Sequence, residues 1–259
     1  MIDLRSVYHA FTRGDRGVLA LRNISLSIGS SDFVAIVGPS GCGKSTLLNL
    51  VAGLLRPIRG EVLYAGRAVN GLNTRTGYMT QKDTLLPWRT VEENIALPLE
   101  VRGVTKEERK EKALQMAHLV ELQGFENAYP HELSGGMRRR VILARSWIYD
   151  PETLLMDEPF GALDAQTRLL LQNELLELWY QRRKTVIFVT HDIGEAISLA
   201  SRVIVMSRRP GTIKADRAVD FGHPRDIFQI RFSPEFSRLH EELWTSLRDE
   251  VLVHEGSGV

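Results

Sequence analysis

The sequence predicts an α/β protein with a mostly parallel sheet, an antiparallel β segment near its N-terminus and a helical segment inserted within it. Three observations predict this. Short apolar runs alternate with helical stretches in both halves of the chain, which is the pattern of β-α-β units. The first 28 residues instead favour period-two alternation, clearest at Ile24, Leu26 and Ile28. Between about Thr90 and Trp147 the strand pattern gives way to helical character.

The elements follow in order. Ile2 to Tyr8 and Leu19 to Ile28 are predicted strands, separated by a turn-rich stretch, Thr12-Arg13-Gly14-Asp15-Arg16-Gly17. Phe33-Val34-Ala35-Ile36-Val37 is continuously apolar, as in a strand buried on both faces. Ser45 to Ala52 reads as a helix stopped by Gly53, and Glu61 to Tyr64 as a short strand after the Pro57/Gly60 break. Thr90 with Glu93, and Thr105 with Glu108, have capping-box spacing. Val104 to Lys112 is a mixed-charge helix face exposed to solvent, while Met116, Ala117, Val120 and Leu122 form a core stripe. Strands at Thr153–Met156, Thr185–Thr190 and Val203–Met206 alternate with helices at Leu169–Trp179 and Ile193–Leu199. A last helix is expected from Pro234 to Val251.

Composition narrows the class. The 259 residues are 43% apolar and 25% charged, with a net charge of +1, so no bulk charge favours nucleic acid or an anionic membrane. No run of 18 apolar residues spans a bilayer, and the N-terminus lacks a signal-peptide pattern. The single cysteine, Cys42, cannot form an internal disulfide. The expectation is a cytoplasmic protein whose membrane role comes through a partner.

Gly38-Pro39-Ser40-Gly41-Cys42-Gly43-Lys44-Ser45 matches the phosphate-binding loop pattern in full, between a buried strand and a helix. Its glycines let backbone N–H groups turn toward phosphate, and the helix N-terminus at Ser45 and Thr46 adds partial positive charge. Lys44 is placed for the β- and γ-phosphates, and Ser45 for Mg²⁺. Cys42 fills a variable position that favours a small buried side chain over a redox role, although nearby positive charge would favour alkylation. Asp157 and Glu158 end an apolar strand, at the sheet edge where ligands bind. Thr190-His191-Asp192 ends the next apolar strand in the same way, and Gln81, in Gly77-Tyr78-Met79-Thr80-Gln81-Lys82, follows an expected strand. Leu133-Ser134-Gly135-Gly136 precedes a basic cluster. By composition alone, that segment serves equally as a helix N-cap followed by glycines.

Taken in order, Phe11, Gly38–Ser45, Gln81, Leu133–Gly136, Asp157-Glu158, Gly161-Ala162-Leu163-Asp164 and His191 resemble the ATP-binding-cassette (ABC) ATPases over nearly the whole chain. The resemblance implies one domain, 1–259. Its P-loop NTPase core is a RecA-like, mostly parallel sheet with the antiparallel β subdomain, over about 1–87 and 150–259. The inserted α-helical subdomain covers about 88–149. ATP and Mg²⁺ are the implied cofactors. Phe11, with Tyr8 as a weaker candidate, would stack on adenine. Ser45, Gln81 and Asp157 would hold Mg²⁺. Glu158 would act as general base, with His191 and Gln81 sensing the γ-phosphate. Ser134, Gly135 and Gly136 would act on ATP held by a second, identical subunit. Two residues depart from the usual run: Met137 stands where many relatives have Gln, and Arg139 where the run is Arg-Gln-Arg.

The chain carries no expected membrane span, so it is similar to the separate ATPase subunits of importers. Leu85-Leu86-Pro87-Trp88-Arg89-Thr90-Val91 resembles the subgroup for nitrate, sulfonates, taurine and bicarbonate. There Leu85, Leu86 and Trp88 would form an apolar surface for an integral membrane permease, or would pack within the chain. The implied setting is peripheral, on the cytoplasmic face of the inner membrane, with a solute-binding protein as an indirect partner and no nucleic acid. The alternative is a soluble ABC ATPase acting on nucleic acid or ribosomes. Such relatives carry coiled-coil insertions, zinc modules or duplicated cassettes, and this sequence has none.

Overall fold

The N-terminal alternation folds into a long antiparallel pair, β1 (Ile2–Arg13) and β2 (Arg16–Ile28). Ile2 lies opposite Ile28 and Leu4 opposite Leu26, which buries one apolar face. The computed structural model describes residues 1–13, 16–222 and 224–252; Gly14 and Asp15, at the centre of the expected turn, lie outside them. β3 (Phe33–Val37) is buried along its whole length, and α1 (Lys44–Val51) follows it. Then come β4 (Arg59–Tyr64), β5 (Arg67–Ala68) and β6 (Thr76–Met79). The helical region contains α2 (Val91–Val101), α3 (Lys106–Leu119) and α4 (Gly135–Trp147). The second half alternates β7 (Thr153–Asp157), α5 (Ala165–Arg182), β8 (Thr185–Thr190), α6 (Ile193–Leu199) and β9 (Arg202–Met206). β10 (Ile213–Ala218) and α7 (Pro234–Leu252) end the described chain.

Two sheets result. The first is antiparallel, in the order β2-β1-β4-β5; the second runs β10-β9-β3-β8-β7-β6 and is parallel except for its edge pair, β10 with β9. Because side chains alternate across a strand, β3 feeds two cores. Val34 and Ile36 join α1 and the antiparallel sheet, together with Leu47, Leu48 and Val51. Phe33, Ala35 and Val37 face the other helices, where Trp147 and Trp179 are almost fully buried. Each such large apolar side chain contributes about 1.5–3 kcal/mol by burial.

The local signals are realised with instructive differences. Thr90 forms the full capping box with Glu93. Thr105 Oγ1 accepts from the Glu108 N–H, but the reciprocal bond is missing, because the Glu108 carboxylate is drawn to Lys112 at 2.7 Å. The helix expected from Leu169 starts earlier, since Asp164 caps it by accepting from the N–H groups of Gln166 and Thr167. β10 was not expected, and its alternation is mostly polar and exposed. α7 lays Phe236, Leu243 and Leu247 into the core of its own chain.

One buried polar side chain fixes the segment leading into the helical region. Asn94 is fully buried; its Oδ1 accepts from the Leu86 N–H at 2.8 Å, and its Nδ2 donates to the carbonyls of Leu86, Arg89 and Thr90 at 3.0–3.1 Å. Replacing Asn94 with Ala leaves the half-buried Leu86 N–H without its acceptor. Chemical denaturation of Asn94→Ala should show a loss of about 2 kcal/mol, with an unchanged m-value.

Candidate functional site

The site is assembled by strand register. Val37 lies beside Thr190, Val189 beside Asp157, and Met156 beside Met79. The carboxyl ends of β3, β8, β7 and β6 therefore align, and each is followed directly by an expected site segment. In open α/β sheets this edge binds the ligand. An open cleft of about 400 Å³ lies there, lined by Phe11, Gly41, Lys44, Gln81, Glu158 and Arg209 among others.

The phosphate-binding loop has the backbone its chemistry needs. Gly41 and Gly43 have φ of +74° and +109°, and a Cβ on Gly43 would come within 2.6 Å of Leu21 Cδ2. No side chain caps α1, so its first N–H groups remain for an anion. Lys44 is buried and its Nζ donates to the carbonyls of Gly38 (2.7 Å) and Pro39 (3.0 Å). Ser40 and Ser45 line the cleft, and Thr46 is mostly buried at its edge. Gly38 has no room for a side chain, since a Cβ would lie 2.9 Å from Cys42 Sγ. Cys42 itself is buried, and desolvation pushes its thiol above the ordinary value despite the opposing charge of Lys44. Burial outweighs the positive charge of Lys44, in keeping with the small buried side chain expected at this position.

The carboxylates differ in environment. Asp157 is buried, and desolvation raises its pKa; a hydrogen bond from Ser45 and the charge of Lys44 oppose that rise. The Ser45–Asp157 pair suits Mg²⁺, which takes few protein ligands and keeps phosphate oxygens and water for the rest. The described residues hold no group of three or more His, Cys, Asp or Glu that would form an all-protein metal cage. Glu158 has φ +45°, a conformation costly for a non-glycine residue and typical of functional turns. Its Oε2 accepts from Gln81 Nε2 at 3.1 Å and lies 3.4 Å from His191 Nδ1. Gln81, Glu158 and His191, from three different strand ends, thus meet at one oxygen.

The turn carrying His191 is held from behind. Glu195 is buried and accepts from Thr190 Oγ1 and from Gln172 Nε2, and Thr190 Oγ1 in turn accepts from the Asp192 N–H. Desolvation raises the Glu195 pKa. Arg231, just before α7, donates to Gln172 Oε1 at 3.1 Å. Sequence reasoning missed this support, because nothing local marks Glu195 as buried. It also missed Arg209. The turn bearing Arg209 is pinned to β2, with the Gly211 N–H donating to Ala20 O and the Arg22 N–H to Gly211 O. No side chain among the described residues pairs with the Arg209 guanidinium.

Ser134, Gly135 and Gly136 do not line the cleft of their own chain. Ser134 caps α4, its Oγ accepting from the Met137 N–H at 3.2 Å. The helix-cap reading therefore holds, and it leaves Ser134 and Gly135 exposed at a helix N-terminus. Leu163 and Thr167 flank the two glycines. The apolar surface expected beside Gln81 reduces to one residue. Leu85 packs on the core and Leu86 is half-buried, whereas Trp88 is 70% exposed.

Fold and site define a P-loop ATPase. The family model described as ABC transporter matches residues 21–161. An uncharacterised ABC transporter ATP-binding protein of Methanocaldococcus jannaschii is 49% identical, over 91% of this chain and 86% of its own. A taurine import ATP-binding protein of Rhizobium johnstonii is 46% identical, over 93% and 94%. An aliphatic sulfonates import ATP-binding protein of Bacillus cereus is 44% identical, over 86% and 88%. A solved dimeric ATP-binding cassette in a post-hydrolysis state with ADP and Pi matches with a TM-score of 0.76 and 34% identity, covering 86% of this chain and all of that one. The chain belongs to the ABC transporter ATP-binding family. It is an ATP-hydrolysing subunit.

Proposed function

We propose that this chain energises solute import as one of two identical ATPase subunits on a separate membrane permease. The observation that carries the reading is the division of the site. Lys44, Gln81 and Glu158 line one cleft, Asp157 and His191 stand at the same sheet edge, and Ser134, Gly135 and Gly136 are not among the residues lining it. A second copy facing the first supplies the missing donors. The solved dimeric cassette with ADP and Pi supports that arrangement.

Each residue then has a physical task. Phe11 offers a ring to the adenine from the cleft wall. The Gly38–Ser45 backbone and Lys44 neutralise the phosphates, and Arg209 adds a cation at the cleft margin. Ser45, Asp157 and Gln81 would hold Mg²⁺, which supplies charge neutralisation when bound. Glu158 accepts a proton from the attacking water, held in place by Gln81 and His191. The partner's signature presents a hydroxyl, backbone N–H groups and a helix N-terminus to the γ-phosphate. ATP charge is then satisfied only when both halves close, and hydrolysis releases the closure.

The permease half of the reading is supported by Trp88. It lies with Arg89, Glu92, Glu93, Lys106 and Lys110 around a surface cleft of about 460 Å³ beside Gln81's segment. An indole in a ring of mixed charge suits a short amphipathic helix from a membrane protein. No helix among the described residues is long and apolar enough to cross a membrane, so that helix comes from another chain. A subunit docked in this way sits peripherally, on the cytoplasmic face of the inner membrane. The named taurine and sulfonate import relatives support a small anionic solute of that type, delivered by a solute-binding protein. They also disfavour a nucleic-acid or ribosome ATPase.

Two measurements check this. Glu158→Gln should retain ATP binding, lose turnover by about 100-fold or more, and elute as a dimer with ATP; wild-type turnover would remove Glu158 from the general-base role. Trp88→Glu should sharply lower recovery of the chain with a co-expressed permease, while ATP binding by the subunit is unchanged. Full recovery would move the docking surface elsewhere.

A further inference from the structure

Arg139 does not face solvent. It is 8% exposed, and its guanidinium donates to the main-chain carbonyls of Thr80 (3.3 Å) and Gln81 (2.5 Å). No carboxylate among the described residues forms an ion pair with it; the nearby Asp83 is taken by Arg138 at 3.2 Å. Burial works against the charge of Arg139 and depresses its pKa. A guanidinium kept in such a place must recover its desolvation cost through the hydrogen bonds it makes, and those bonds end on one segment of backbone. Arg145, further along the same helix, donates to Thr84 O and Oγ1 at 2.9 and 2.5 Å. Three arginines of α4 therefore clasp residues 80–84, and Arg139 alone reaches Gln81.

The chain of contacts continues at both ends. The Gln81 side chain donates to Glu158 Oε2, the atom that also neighbours His191. Ser134 and Gly135 lie at the start of the helix that carries Arg139. We infer that Arg139 is a positioning residue that ties the signature helix to the main chain of Gln81, so that the two move as one body. This rests on the reading of Gln81 as a Mg²⁺ and γ-phosphate contact. A glutamine at this position, as in the usual Arg-Gln-Arg run, has one short amide and cannot supply the charged two-pronged grip. Closure of the signature onto a partner's ATP is then felt directly at Gln81 of the same subunit.

The test is a double-mutant cycle on the full chain, reading ATPase turnover at saturating ATP while Mg²⁺ is titrated. Arg139→Gln should raise the Mg²⁺ needed for half-maximal turnover by roughly twofold or more, with Arg139→Lys intermediate because it keeps the charge but only one donor group. Added to Gln81→Ala, Arg139→Gln should cause no further shift. A full additional shift in the Gln81→Ala background, or no shift from Arg139→Gln alone, overturns the inference. An unchanged Mg²⁺ dependence for Gln81→Ala overturns the reading of Gln81 itself. Thermal midpoints separate these effects from unfolding, and the milder Arg139→Lys variant carries the cycle if Arg139→Gln does not fold.

Discussion

The register of four parallel strands is the constraint on which the rest of this protein depends. β3, β8, β7 and β6 end level with one another, so the phosphate loop, His191, the Asp157–Glu158 pair and Gln81 emerge at one edge. A one-residue slip would turn every strand side chain to the opposite face and break both cores. The apolar packing that fixes the register, Val34 and Ile36 on one side and Phe33 and Val37 on the other, is therefore also what fixes the geometry of the cleft edge. The site tolerates a strained Glu158 backbone because those strands determine where it sits.

A second constraint joins the helical region to that edge. Asn94 holds the segment bearing Trp88, while Arg138, Arg139 and Arg145 hold residues 80–84 from the signature helix. Exposed ion pairs are worth little, but a buried guanidinium on carbonyls gives direction as well as energy. Both clasps lie in the stretch between Trp88 and Gln81, whose side chain donates to the Glu158 carboxylate. The support behind His191, from Glu195 through Gln172 to Arg231, is a similar brace on the opposite side of the site.

The parts legible in the sequence were those governed by local patterns. Phe33–Val37 declared a doubly buried strand because all five residues are apolar, and Gly38–Ser45 declared its loop because only glycines permit that backbone. The order of Gln81, Leu133–Gly136, Asp157–Glu158 and His191 carried the family. What was not legible depends on tertiary burial of polar groups. Arg139 is an added charge on a helix in the sequence, and only the tertiary structure brings it to the carbonyls of Thr80 and Gln81. Glu195 and Arg209 have no local signal at all, whereas the small buried side chain expected at Cys42 is what the structure shows. β10 escaped because an exposed edge strand needs no apolar alternation.

The central claim is that one chain completes the ATP site of another. Mixing two inactive variants tests it most directly. Lys44→Ala removes the phosphate loop's cation and leaves the signature intact; Ser134→Arg blocks the signature and leaves the loop intact. A mixed dimer holds one site in which both halves are unaltered. The account predicts that the mixture hydrolyses ATP when neither variant does so alone. A mixture as inactive as its components, with mixed dimers demonstrably formed, would contradict it.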